Sequence, residues 1–73
     1  MFKMDKLETL ATETAQVTLR FLKLGLYDGK QGNRDLKKQV RDDVNYLRAI
    51  EEMDFLFKGS LTRIYFSVLR NRE

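Results

Sequence analysis

Proline is absent from the whole chain, while apolar residues recur every three or four positions from Leu7 to Leu69. An apolar stripe at that spacing needs an element with about 3.6 residues per turn, and only glycine is present to interrupt one. The four glycines are Gly25, Gly29, Gly32 and Gly59. Three of them fall in two polar stretches, Asp28 to Asn33 and Lys58 to Ser60, which read as turns between helices. The expectation is an all-α single domain over residues 1–73, with three helices at about 5–26, 34–57 and 60–71. Two are long and the C-terminal one is short.

In the first helix, Leu7, Leu10, Thr14, Val17, Phe21 and Leu24 alternate threes and fours, the a/d seam of three heptads. Thr14 is its polar member, and its hydroxyl can bond back to the carbonyl four residues earlier. A second stripe, Ala15, Leu19, Leu22 and Leu26, makes the C-terminal half apolar nearly all round. Asp28-Gly29 supplies a left-handed stop, and Asn33 an N-cap for the second helix. That helix carries Leu36, Val40, Val44, Leu47, Ile50, Met53 and Phe57 inward, with Tyr46 at the flank. Ser60 is the expected cap of the third helix, whose inward residues are Leu61, Ile64, Tyr65, Val68 and Leu69.

Seventy-three residues give a small core, because ordering cost and apolar burial nearly cancel at this length. The usual supplements are disulfides, metals or partners. Cysteine and histidine are both absent, which removes disulfides, the common zinc sites, an imidazole base and a thiol nucleophile. Partners remain, and the expected architecture is a homodimeric helical bundle with the long helices at its interface. No apolar run approaches the roughly 18 residues of a membrane span, and the N-terminus lacks the apolar stretch of a signal peptide. A cytoplasmic location and no membrane association are the corresponding expectations.

Charge is distributed unevenly. Residues 1–29 are neutral overall, 30–41 carry +4, 42–57 carry −4 and 58–73 carry +3. The second helix is thus basic at its start and acidic towards its end, opposite to what the helix dipole favours. Compensation from outside is implied: an antiparallel second copy, or Arg63 and Arg70 folded over Glu51, Glu52 and Asp54. Solvated surface charges of little energetic weight are the plainer reading.

Apolar groups beyond what three stripes can hide are Leu19, Leu22, Leu26, Phe55, Leu56 and Phe66, with Phe2 and Met4 at the N-terminus. Aromatic groups beside arginine are typical interface anchors. Leu22, Leu26, Phe55, Phe66, Arg63 and Arg70 are therefore the candidate protein-binding residues. They suggest a small non-enzymatic regulator that inhibits, sequesters or adapts a protein partner through helical faces. The alternative is a helical DNA- or RNA-binding regulator using Lys30, Arg34, Lys37, Lys38 and Arg41, at a sequence pI near 9.4. A helix-turn-helix reading of residues 54–64 fits poorly, since Phe55 stands where a small residue is usual. Catalysis, a cofactor and a metal are not expected: the acids Asp42, Asp43, Glu51, Glu52 and Asp54 spread over several helix faces and read as a surface patch. Gly29-Lys30-Gln31-Gly32 lacks the strand and spacing of a phosphate loop.

Overall fold

The computed structural model describes residues 4–53 and 58–71. They form three helices, α1 (Met4–Lys23), α2 (Gly29–Met53) and α3 (Ser60–Arg70), and no strand. Polar contacts fix α2 against α3, since Tyr65 meets Asp43 and Thr62 meets Glu51. The direction of α1 follows from the Thr18–Asp43 contact, the short 24–28 connection and the groove that Leu19 and Lys23 share with Val68 and Asn71. α1 and α3 therefore run parallel, and α2 runs antiparallel to both. The bundle measures 44 × 21 × 14 Å, a slab with room for a single shared core.

That core is Ala11, Ala15 and Leu19 from α1, Val44 and Leu47 from α2, and Leu61 and Tyr65 from α3. Leu7, Val40, Ile50, Ile64, Val68 and Leu69 pack around it. The inward faces expected for α2 and α3 are the ones buried, except that Met53 is exposed and Phe57 lies outside the described residues. α1 differs from expectation. The C-terminal part of its heptad seam faces outward, with Val17 48%, Phe21 39% and Leu24 67% exposed, while Leu10 and Thr14 are half-buried and Leu7 packs on the core. The buried stripe instead runs through Leu7, Ala11, Ala15, Thr18 and Leu22, with Leu19 beside it. Alanines at two central positions let the helix backbones approach closely, which bulky seam residues would prevent.

Both helix–helix junctions also depart from the sequence reading. α1 stops at Lys23, not Leu26, through a six-to-one bond from Leu26 N–H to the Phe21 carbonyl (3.1 Å) and a five-to-two bond from Gly25 N–H to the Leu22 carbonyl (3.1 Å). This is a Schellman closure, and Gly25, at φ 77°, takes its left-handed position. Asp28-Gly29 is therefore not the stop, and the stretch from Gly29 to Asn33 is not a turn: it is the first turn of α2. Asn33 lies inside that helix and caps nothing. The reason is at Gly32, which is buried with the Tyr27 backbone lying where a β-carbon would go. A glycine that reads as a turn signal is here the contact that lets a short connection fold tightly onto the next helix. At α3 the cap position belongs to Gly59, and Ser60 is the first helical residue.

These junctions predict a contrast. Gly32→Ala forces a β-carbon into main-chain atoms that cannot swing aside, and should cost about 1–3 kcal/mol despite the higher helix propensity of alanine. Asn33→Ala, exposed one residue later, should be neutral or stabilise by a few tenths of a kcal/mol, whereas loss of an N-cap would cost about 1 kcal/mol. Urea melts of the two variants followed by circular dichroism check both.

Candidate functional site

Asp43 sits inside the bundle, 8% exposed, as the meeting point of three elements. Its Oδ2 accepts hydrogen bonds from the Thr18 hydroxyl and the Tyr65 hydroxyl, each at 2.7 Å, and its Oδ1 accepts one from Gln39 Nε2 at 2.9 Å. Glu51 is likewise buried: its Oε2 accepts the Thr62 backbone N–H at 2.9 Å and the Thr62 hydroxyl at 3.1 Å. Thr62 lies in the first turn of α3, whose N–H groups have no partner within the helix. A side chain of α2 therefore supplies the cap that Gly59, without a side chain, cannot. Every buried side-chain nitrogen and oxygen among the described residues has a partner.

Two of the five acids expected in a surface patch are thus internal, which corrects that reading. Glu51 is held by Thr62; Arg63 and Arg70, both exposed, are not what secures it. Burial raises the Tyr65 phenol well above its ordinary value of 10.0, reinforced by the bond to Asp43 and by the charge of that carboxylate. The nearby Thr18 hydroxyl acts the other way and is outweighed. Tyr27 is raised too, by burial first and then by the charges of Asp43 and Asp35. This arrangement holds three helices together. It offers no open position to a ligand, since the oxygens of Asp43 are already taken by its neighbours.

The expected contact residues lie on the outside, on separate faces. Lys30, Arg34, Lys37, Lys38 and Arg41 are all exposed. At 100° per residue they occupy about a third of the α2 circumference, in a ridge about 16 Å long. On α3, Arg63, Phe66 and Arg70 share the face turned away from the core; Phe66 is 38% exposed and meets Tyr65 edge-on, with ring centroids 5.4 Å apart. Leu26 is 61% exposed just past the end of α1. Leu22 is half-buried on the core side, and Leu19, expected among the surplus, is buried. Phe55 and Leu56 lie outside the described residues. The face that escaped notice as a surface is the outer side of α1, because its regular seam read as core.

A concavity of about 530 Å³ is an open groove between α1 and α3 lined by Gln16, Leu19, Arg20, Lys23, Val68 and Asn71. Its ionisable groups are two cations, without an acid–base pair. Among the described residues no three acids gather as a metal site, and no helix is long and apolar enough to cross a membrane. No family model, curated protein or solved structure matches the chain.

The Asp43 cluster has a pH signature. The folded state keeps the Tyr65 proton at a pH where the unfolded chain has released it. The stability from Tyr65 is complete below about pH 10 and declines as pH rises beyond it. Tyr65→Phe should lose about 1–3 kcal/mol at neutral pH, since one donor to a buried carboxylate is gone, and should show a shallower alkaline decline. Urea midpoints from pH 7 to 11, with tyrosinate absorbance, measure both effects.

Proposed function

We propose that this chain is a small cytoplasmic, non-enzymatic regulator that works by docking on a partner protein. The observation that carries the reading is on α3. The core closes with Leu61 and Tyr65 fully buried, yet Phe66 stays outside it with Arg63 and Arg70 on the same face. An exposed aromatic group flanked by arginines is the chemistry of an interface anchor, and the edge-on contact with Tyr65 holds the ring in place while leaving 38% of it open. Leu26 adds a second apolar group beyond the end of α1. Such a surface binds by burying apolar area, with the guanidinium groups orienting the partner.

The basic ridge of α2 supports a second reading, contact with nucleic acid. Its specific support is the withdrawal of Asp43 and Glu51 into the interior, which leaves the five cations with fewer opposing surface charges than the sequence suggests. The readings separate by salt. Docking through Phe66 should survive moderate salt, whereas five phosphate contacts give a log–log slope of about −4 to −5.

Affinity capture from host extract at low and raised salt, using the natural chain and Phe66→Ala, tests the first reading. The same protein retained at both salt concentrations by the natural chain, and lost by Phe66→Ala with its melt unchanged, is the expected result. Capture unaffected by Phe66→Ala, together with steeply salt-dependent binding to a mixed-sequence duplex that Lys37→Glu abolishes, would replace it with the nucleic-acid reading.

A further inference from the structure

The outer face of α1 is apolar and keeps a strict heptad rhythm. Leu10, Thr14, Val17 and Phe21 are spaced 4, 3 and 4, with Val17 and Phe21 exposed and Leu10 and Thr14 half-buried, while the monomer buries a different stripe of the same helix; Leu24 continues the spacing just past its end. A repeat of 3.5 residues is the spacing that lets one helix dock along another over several turns. Thr14 does not spoil the seam. Its hydroxyl donates to the Leu10 carbonyl at 2.7 Å, so no free polar group is presented. The neighbouring concavities, of about 390 and 380 Å³, lie along the same helix and are lined by Lys6, Thr9, Leu10 and Glu13, and by Glu8, Thr9, Thr12, Glu13 and Gln16.

Charge identifies what fits this face. Along the flank of the seam turned away from the core, Lys6, Glu13 and Arg20 recur at seven-residue intervals, and all three are exposed. The opposite flank holds Ala11, Thr18 and Gly25, which carry no charge. A parallel pair would set the charged flank of one helix against the uncharged flank of the other and gain nothing from it. An antiparallel pair sets charged flank against charged flank. Of its possible registers, one slid a heptad towards the C-termini places Arg20 against Arg20. One slid a heptad towards the N-termini places Glu13 against Glu13 and Lys6 against Arg20. The register between these two, centred between Thr14 and Val17, places Glu13 of each copy against Arg20 of the other, twice. It also sets Leu10 opposite Phe21 and Thr14 opposite Val17.

We propose that the outer face of α1 pairs with the same face of a second copy, antiparallel and in this register of Glu13 against Arg20. The contact is isologous, so a single two-fold axis completes it and no open array follows. Val17 and Phe21 leave 48% and 39% of their surface open, a patch smaller than the ~800 Å² per partner of a standard interface. The α3 face and the basic ridge of α2 lie on other sides, so pairing leaves the proposed docking surface open.

Sedimentation of the full chain from low to high micromolar concentration tests the pairing, because Glu13 and Arg20, whose charges are reversed, are both exposed. A monomer–dimer equilibrium is expected. Glu13→Arg alone and Arg20→Glu alone should each weaken it about tenfold, and the two together in one chain should restore it. The natural chain has no cysteine, so orientation can be read directly. A mixture of Leu10→Cys and Phe21→Cys proteins should form the crossed disulfide on oxidation, and Leu10→Cys alone should not cross-link. A monomer throughout the concentration range with an unchanged melt would overturn the pairing, as would a dimer indifferent to both charge reversals or cross-linked through Leu10 to Leu10. None of these outcomes touches the Phe66 docking surface, whose own test is the capture experiment.

Discussion

A buried carboxylate that accepts from two hydroxyls and an amide sets the terms for this fold. Removing a carboxylate from water costs several kcal/mol unless good hydrogen bonds replace its hydration. Asp43 obtains them from Thr18 on α1, from Gln39 one turn earlier on α2 and from Tyr65 on α3. Each donor must arrive from its own helix at the right height, so the cluster specifies one register of three rods that apolar packing alone would leave free to slide. Glu51, two turns further along α2, then fixes the start of α3 by binding its Thr62 N–H. A small core of alanine, leucine and valine gains from these polar contacts a specificity that its size does not provide.

The same two carboxylates resolve the charge pattern along α2. As a solvated helix it would place cations at its positive end and anions at its negative end, against its own dipole. In the bundle, Glu51 serves the N-terminus of another helix, where a negative charge is favoured. Asp43 is held inside by hydrogen bonds from its donors. The surface keeps the basic part, Lys30 to Arg41, together with Asp35, Asp42 and Glu52, so the opposing surface charges are fewer by Asp43 and Glu51 than the linear sequence implies.

How far the sequence discloses this differs between elements. α3 is fully legible: its inward residues are bulky, regular and few, and they are the ones buried. α2 is legible in its apolar face but not in its polar core. Leu36, Val40, Asp43, Leu47 and Ile50 are spaced 4, 3, 4 and 3, so Asp43 occupies a seam position, yet a carboxylate is ordinarily assigned to water. α1 is ambiguous because it has two apolar stripes, and side-chain bulk favours the wrong one. Ala11 and Ala15 contribute little area, but they allow the close helix approach on which Thr18 and Asp43 depend. Gly32 misleads in a similar way: spacing alone does not distinguish a glycine that breaks a helix from one that admits a neighbouring backbone. Of the expected contact residues, the cations of α2 and the Arg63, Phe66 and Arg70 group fall on common faces, because helical spacing determines that much. Leu22 does not, since the stripe of α1 that holds it is turned towards the core.

Packing α1 through alanines rather than leucines has a consequence for how the protein meets others. A helix buried on its bulkier stripe would have hidden Val17, Phe21 and Leu24 and shown alanines to solvent, giving a smoother and less adhesive monomer. The Asp43 cluster forbids that rotation, because Thr18 shares the alanine side and must reach the carboxylate. Internal polar satisfaction and external apolar exposure are therefore two results of one choice of helix face. Substitutions that release Thr18 from Asp43 bear on both at once, by loosening the register inside and by removing the reason for α1 to present its heptad seam outside.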